Sequence, residues 1–103
     1  MKIKVLYILI LLTFVSVNTQ AQINTNRVLA IGRNALYFED YVLAMQYFNQ
    51  VIRIKPHIAE PYFYRAIAKI SLEDYLGSEE DCSEALSRNP FLTEAYRCRG
   101  IAR

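Results

Sequence analysis

The run Glu60-Pro61-Tyr62-Phe63-Tyr64-Arg65-Ala66-Ile67-Ala68-Lys69 returns 34 residues later as Glu94-Ala95-Tyr96-Arg97-Cys98-Arg99-Gly100-Ile101-Ala102-Arg103. Five of the ten pairs are identical, and Ala66/Gly100 and Lys69/Arg103 are near-equivalent. The interval holds elsewhere: Glu73-Asp74-Tyr75 repeats Glu39-Asp40-Tyr41, and Pro90 falls 34 after Pro56. A fixed period of about 20 to 50 residues marks a repeat array, whose units bury their apolar faces only against their neighbours. The period therefore constrains the architecture before composition is considered.

Between these marks the apolar residues recur at spacings of three and four, the period of an amphipathic helix. The spacing predicts a first helix through Val28, Leu29, Ile31, Ala35, Leu36 and Phe38, capped by Thr25 or Asn26 after a polar lead-in at residues 22–26. Asp40 is expected to cap a second helix, from about Tyr41 to Lys55, with Leu43, Ala44, Tyr47, Phe48, Val51, Ile52 and Ile54 on its apolar side. Pro56 ends it, since proline donates no N–H and disfavours helical geometry in the residue before it. A third helix carries Pro61 in its first turn, where proline is tolerated, and ends near Leu72. A fourth is expected from about Tyr75 to Arg88, and a fifth from Glu94, capped by Thr93. Links of only a few residues force neighbouring helices antiparallel. The fold class is all-α, built from 34-residue helix–turn–helix units.

Residues 1–21 read differently. Lys2 and Lys4 precede 13 almost wholly apolar residues, Val5 to Val17, and then the small polar Asn18-Thr19-Gln20-Ala21. That order matches a secretory signal peptide with cleavage after Ala21. As a helix the apolar run reaches about 20 Å, short of the ~30 Å of a bilayer core, so a membrane is met only through this segment if it stays uncleaved. Export to the periplasm or cell envelope, or secretion, is expected. The chain has 12 Lys+Arg against 10 Asp+Glu, and removing Lys2 and Lys4 leaves 10 of each. A neutral mature chain lacks the clustered basic face that nucleic acid requires.

Cys82 and Cys98 are too few for a disulfide scaffold and are not spaced as a metal site. Cys82 is expected as a small core residue and Cys98 as an unpaired residue on a helix surface, although an exported chain permits a disulfide. His57, the only histidine, reads as a loop residue. No Ser/His/Asp set, phosphate-cradling glycine loop or histidine pair is present, so neither catalysis nor a cofactor or metal is expected. Arg65 and Arg99, one turn from Tyr62 and Tyr96, suit stacked or salt-bridged roles better than anion binding.

The unit resembles the tetratricopeptide repeat (TPR), a 34-residue helical hairpin whose copies stack as a right-handed α-solenoid. Repeat one, residues 25–58, matches at Gly32, Tyr41, Ala44, Phe48, Val51 and Pro56. Repeat two, residues 59–92, matches at Tyr62, Ala66, Tyr75, Ala85 and Pro90, and a partial repeat three, residues 93–103, at Tyr96 and Gly100. The resemblance covers essentially all of residues 22–103. Val28 replaces the usual large aromatic, Cys82 stands where Phe48 stands one repeat earlier, and Ser78 replaces the counterpart of Ala44. With Gly77 inside the fourth helix as well, the second helix of repeat two is expected to pack less tightly.

What the resemblance implies about function is a non-catalytic scaffold. In the family, first helices of successive repeats line a concave face that takes peptides. Here that face should carry Leu29, Arg33, Leu36 and Tyr37 in repeat one, Phe63, Ile67 and Ile70 in repeat two, and Arg97 and Ile101 in repeat three, with Asn26, Glu60 and Glu94 nearby. An apolar floor with mixed rim charges suits an amphipathic helix or an extended peptide with apolar anchors. Family members that capture heat-shock chaperone tails use a carboxylate clamp of lysines, asparagines and an arginine. Its matching positions here are Leu29, Arg33, Tyr64, Glu94 and Cys98, which do not form it. Because such arrays usually need at least three repeats, the chain is expected to be the N-terminal part of a longer array, or to cover its open end with another copy of itself. A second expectation from another class is an exported N-terminal region of a longer signalling protein or enzyme.

Overall fold

A computed structural model describes residues 2–103, with side chains described at residues 2–10 and 25–103. Five helices follow one another: α1 Lys2–Tyr37, α2 Tyr41–Ile54, α3 Glu60–Ser71, α4 Tyr75–Arg88 and α5 Thr93–Ala102. Each packs antiparallel on the next, so α1/α2 and α3/α4 are two hairpins and α5 begins a third. No strand occurs among the described residues.

The hairpin turns are chemically identical. The Asp40 carboxylate accepts from the Leu43 N–H at 3.4 Å, and Asp74 accepts from the Gly77 N–H at 3.0 Å, each satisfying an orphan donor of the following helix. Before each cap sits a glutamate in the left-handed region, Glu39 at φ 64° and Glu73 at φ 65°. There the preceding helix closes through paired bonds, Asp40 N–H to Ala35 O with Glu39 N–H to Leu36 O, and Asp74 N–H to Lys69 O with Glu73 N–H to Ile70 O. This is the Schellman closure, which normally selects glycine at the left-handed position.

Two core clusters follow from the pairing. Ala35, Ala44 and Phe48 form one, with Leu29 and Leu36 packed against it, and Gly32 makes it close: a Cβ there would lie 2.6 Å from the Phe48 ring and 3.1 Å from the Tyr47 Cβ. The other gathers Tyr62, Phe63, Ala66, Cys82, Ala85, Leu86, Ala95 and Cys98 from α3, α4 and α5. Tyr64 packs against both, and its ring stacks 5.8 Å from that of Phe48. The repeats are also tied by polar bonds. Asp81, 2% exposed, receives both arms of Arg65 at 2.6 and 2.8 Å and Lys69 at 2.9 Å. Arg65 reaches back to the Asn49 side chain at 2.9 Å, so one guanidinium joins α2, α3 and α4. Tyr62 donates to the Pro56 carbonyl at 3.2 Å, and Tyr96 donates to the Pro90 carbonyl at the same distance.

Four local expectations need correction. The helix does not restart at residues 22–26: α1 runs through them, and Thr25 is a buried helical residue rather than a cap. Thr93 is the first residue of α5, Leu92 occupies the cap position, and no side chain caps that helix. Leu43 and Ile54 are exposed rather than on the packed side of α2. Helix α4 is not loosely packed, since Ser78, Asp81, Cys82, Ala85 and Leu86 are all buried. The Ser78 hydroxyl donates to the Ala66 carbonyl at 2.9 Å, and Gly77 lies in the first turn, where the Asp74 cap uses its N–H. The expected signal segment forms the start of α1 with exposed side chains at residues 2–10, while the side chains around its expected cleavage point lie outside the described ones.

Candidate peptide groove between α3 and α5

Antiparallel hairpins place α3 and α5 side by side on one face, with α4 behind them. Between the two lies an open cavity of about 380 Å³, lined by Phe63, Ile67, Ile70 and Ser71 of α3 and by Glu94, Arg97, Cys98 and Ile101 of α5. The helical period explains the set. Positions 63, 67 and 70, and positions 94, 97, 98 and 101, recur at three and four, so each helix turns one stripe into the gap. Phe63 is buried and also belongs to the core; Ile67 and Ile70 are half-buried against it, and Ile101 is 59% exposed. Glu94 stands in the first turn of α5, where the helix dipole favours a negative charge, and Arg97 follows one turn on. The groove thus offers apolar contact with one charge of each sign at its rim.

Five residues expected on the concave face, Phe63, Ile67, Ile70, Arg97 and Ile101, come together in this groove. The four from repeat one do not reach it. Leu29 and Leu36 pack against the Phe48 cluster, the Arg33 guanidinium lies 5.8 Å from the Tyr64 ring, and Tyr37 is 81% exposed, edge-on to Phe38. Of the clamp positions, Leu29 and Tyr64 are packed, Cys98 is buried, and Glu94 opens onto the groove. A ligand carboxylate at that point would meet a carboxylate.

Cys98 is the residue sequence reasoning misplaced. At 6% exposure it is buried, its sulfur 4.0 Å from the Ser78 hydroxyl, and it lies between the core and the groove floor. Its i, i+3 relation to Ala95, buried in the first turn of α5, was the signal that could have found it. Burial pushes the neighbouring Cys82 thiol up to about 12, with the Cys98 thiol adding to the rise. Hydrogen bonding to Asp81 raises the pKa of Arg65 despite the burial opposing it. Arg65 and Arg99 each lie over a tyrosine, Tyr62 at 5.5 Å and Tyr96 at 5.4 Å, which are structural positions as expected. Among the described residues no three His, Cys, Asp or Glu side chains gather as a metal site.

No protein-family model matches the chain. It is 34% identical over 71 residues to a Protein SGT1 homolog of Oryza sativa subsp. japonica, covering 69% of this chain and 19% of that protein. It is 32% identical over 72 residues to small glutamine-rich tetratricopeptide repeat-containing protein 2 of Saccharomyces cerevisiae, covering 70% and 21%. The chain thus spans about a fifth of the length of these curated relatives. Among solved structures it superposes on the Arabidopsis OM64 TPR domain with TM-score 0.75 and 25% identity, covering 77% of this chain and 65% of that one. The first TPR of Spaghetti (RPAP3), bound to the HSP90 peptide SRMEEVD, gives 0.74 and 25%, covering 77% and 64%. The TPR2B-domain:pHsp70 complex of yeast Sti1 gives 0.73 and 23%, covering 76% and 62%, a likeness of fold.

Proposed function

The chain is a tetratricopeptide-repeat protein, and from that premise we propose that it is a non-catalytic scaffold that holds a peptide segment of a partner protein between α3 and α5. The observation that carries this reading is the groove itself, an open cavity with buried Phe63, half-buried Ile67 and Ile70 and exposed Ile101 in its lining. The first TPR of Spaghetti, similar in fold, is bound to a peptide, which supports a peptide as the class of ligand. That peptide's chemistry does not carry over, because Glu94 here opposes a carboxylate and lysines are missing from the clamp positions. The ligand that fits is an internal or helical segment presenting apolar side chains at a spacing of three or four.

The test is a peptide array probed with the chain, followed by titration of the strongest binders against the parent and Ile101→Asp. Ile101 is exposed, so the substitution spares the core. Burying an isoleucine contributes about 1.5 to 3 kcal/mol, so affinity should fall at least about tenfold. Unchanged affinity across all binders would place the ligand elsewhere.

For residues 1–21 the reading is a cleaved export signal delivering residues 22–103 to the periplasm or cell envelope. The support is the order of charge, apolar run and small residues, together with exposed side chains at residues 2–10. Intact mass after expression in a secreting bacterial host should correspond to a start at Gln22. A retained full-length mass in the exported fraction would refute cleavage.

A further inference from the structure

We propose that Cys82 and Cys98 form a disulfide site that pins α5 to α4 in an oxidising environment. Both thiols are free and buried in the same cluster, one on each helix. The Ser78 hydroxyl, one turn before Cys82 on the same face of α4, lies 4.0 Å from the Cys98 sulfur, so the cysteine of α5 sits directly over that face. The Cys98 thiol also contributes to the raised pKa of Cys82.

The location suits a staple. Helix α5 buries only Ala95, Cys98 and Ala102, and no side chain caps its start. It is further tied by the Tyr96 hydroxyl, which donates to the Pro90 carbonyl, and by an exposed ion pair between Arg103, at its C-cap, and Glu79. Apolar burial of three small side chains is modest, so a covalent link gains more here than in α3 or α4. Because Cys98 also lines the groove, the link would hold the α5 wall in place. This inference does not depend on what the groove binds.

The step balances by thiol–disulfide exchange with a small-molecule disulfide such as oxidised glutathione. One protein thiolate attacks, releasing one glutathione thiol and leaving a mixed disulfide. The second then displaces the other glutathione as thiol, closing the Cys82–Cys98 bond. In the folded chain the raised Cys82 pKa and burial slow the attack, so the bond forms most readily during folding.

The full chain, refolded from denaturant in an equal mixture of reduced and oxidised glutathione and then acid-quenched, is analysed by intact mass and non-reducing peptide mapping. The expected result is a loss of about two mass units, a cross-linked peptide pair containing Cys82 and Cys98, and a melting temperature at least ~5 °C above the reduced form. Cys98→Ala should abolish the cross-link and the redox dependence of melting. Retention of both free thiols, a glutathione adduct on either cysteine in place of the bond, or a melting temperature lowered by the bond would each overturn the proposal.

Discussion

Gly32 and Gly100 occupy the same position in repeats one and three, yet their surroundings give them opposite roles. A Cβ at Gly32 would press on the fully buried Phe48 ring, whereas at Gly100 it would meet nothing within 4 Å. Gly32→Ala should therefore cost about 1–2 kcal/mol, overpacking outweighing the better helix propensity, while Gly100→Ala should be neutral or stabilising by up to about 1 kcal/mol. Urea denaturation of the two variants checks the sign. Glu39 and Glu73 carry a related strain, a side chain in the left-handed region. Glu39→Gly and Glu73→Gly should each raise the melting temperature, with a gain of about 0.5–1 kcal/mol. Cys82 supplies a pH signature. Its folded thiol titrates near 12 against an ordinary value of 9.0, so the unfolded chain releases this proton first as pH rises. The stability it contributes is intact below about pH 9 and is lost progressively toward pH 12. The parent should lose more stability than Cys82→Ala between about pH 8 and pH 10, and parallel losses would remove the role assigned to burial.

At the scale of elements, Asp81 decides how the hairpins hold together. Its buried carboxylate collects Arg65 and Lys69 from α3, and Arg65 carries the link on to Asn49 of α2. Asp81→Ala should destabilise by about 3 kcal/mol, since it removes the shared acceptor of two partly buried cations. Much of this level was legible in advance. The spacing of apolar residues, Asp40 as a cap and Pro56 as a stop all act locally, through backbone groups a few residues away, and the 34-residue interval repeats both at Asp74 and Pro90. What was not legible depends on contacts across the fold. A glutamate carries no mark of left-handed geometry, so the Schellman closures were invisible. Ser78 and Cys82 looked like losses against Ala44 and Phe48, because only the folded chain shows the hydroxyl meeting the Ala66 carbonyl and a second cysteine filling the space beside the first. Amide exchange should accordingly show α4 protected about as well as α2, with α5 the least protected of the three.

For the whole molecule, the arrangement leaves one face of the stacked first helices open. The period of 34 brings Phe63, Ile67 and Ile70 opposite Arg97 and Ile101, which is why those five were readable together. Leu29 and Leu36 were expected on the same face from the family resemblance and helical spacing, and in the structure they pack against the Phe48 cluster. Periodicity reports which residues share a helix face, and the crossing of the helices determines what that face meets. The central claim is that the partner lies between α3 and α5. Its most direct test is site-specific photo-crosslinking in cells, with a benzophenone amino acid replacing Ile101 in the groove or Leu76, exposed on α4 outside it. Crosslinks to a discrete partner from position 101, absent from position 76 and suppressed by Arg97→Glu, are the predicted result. The same partner captured from position 76, with none from position 101, would contradict it.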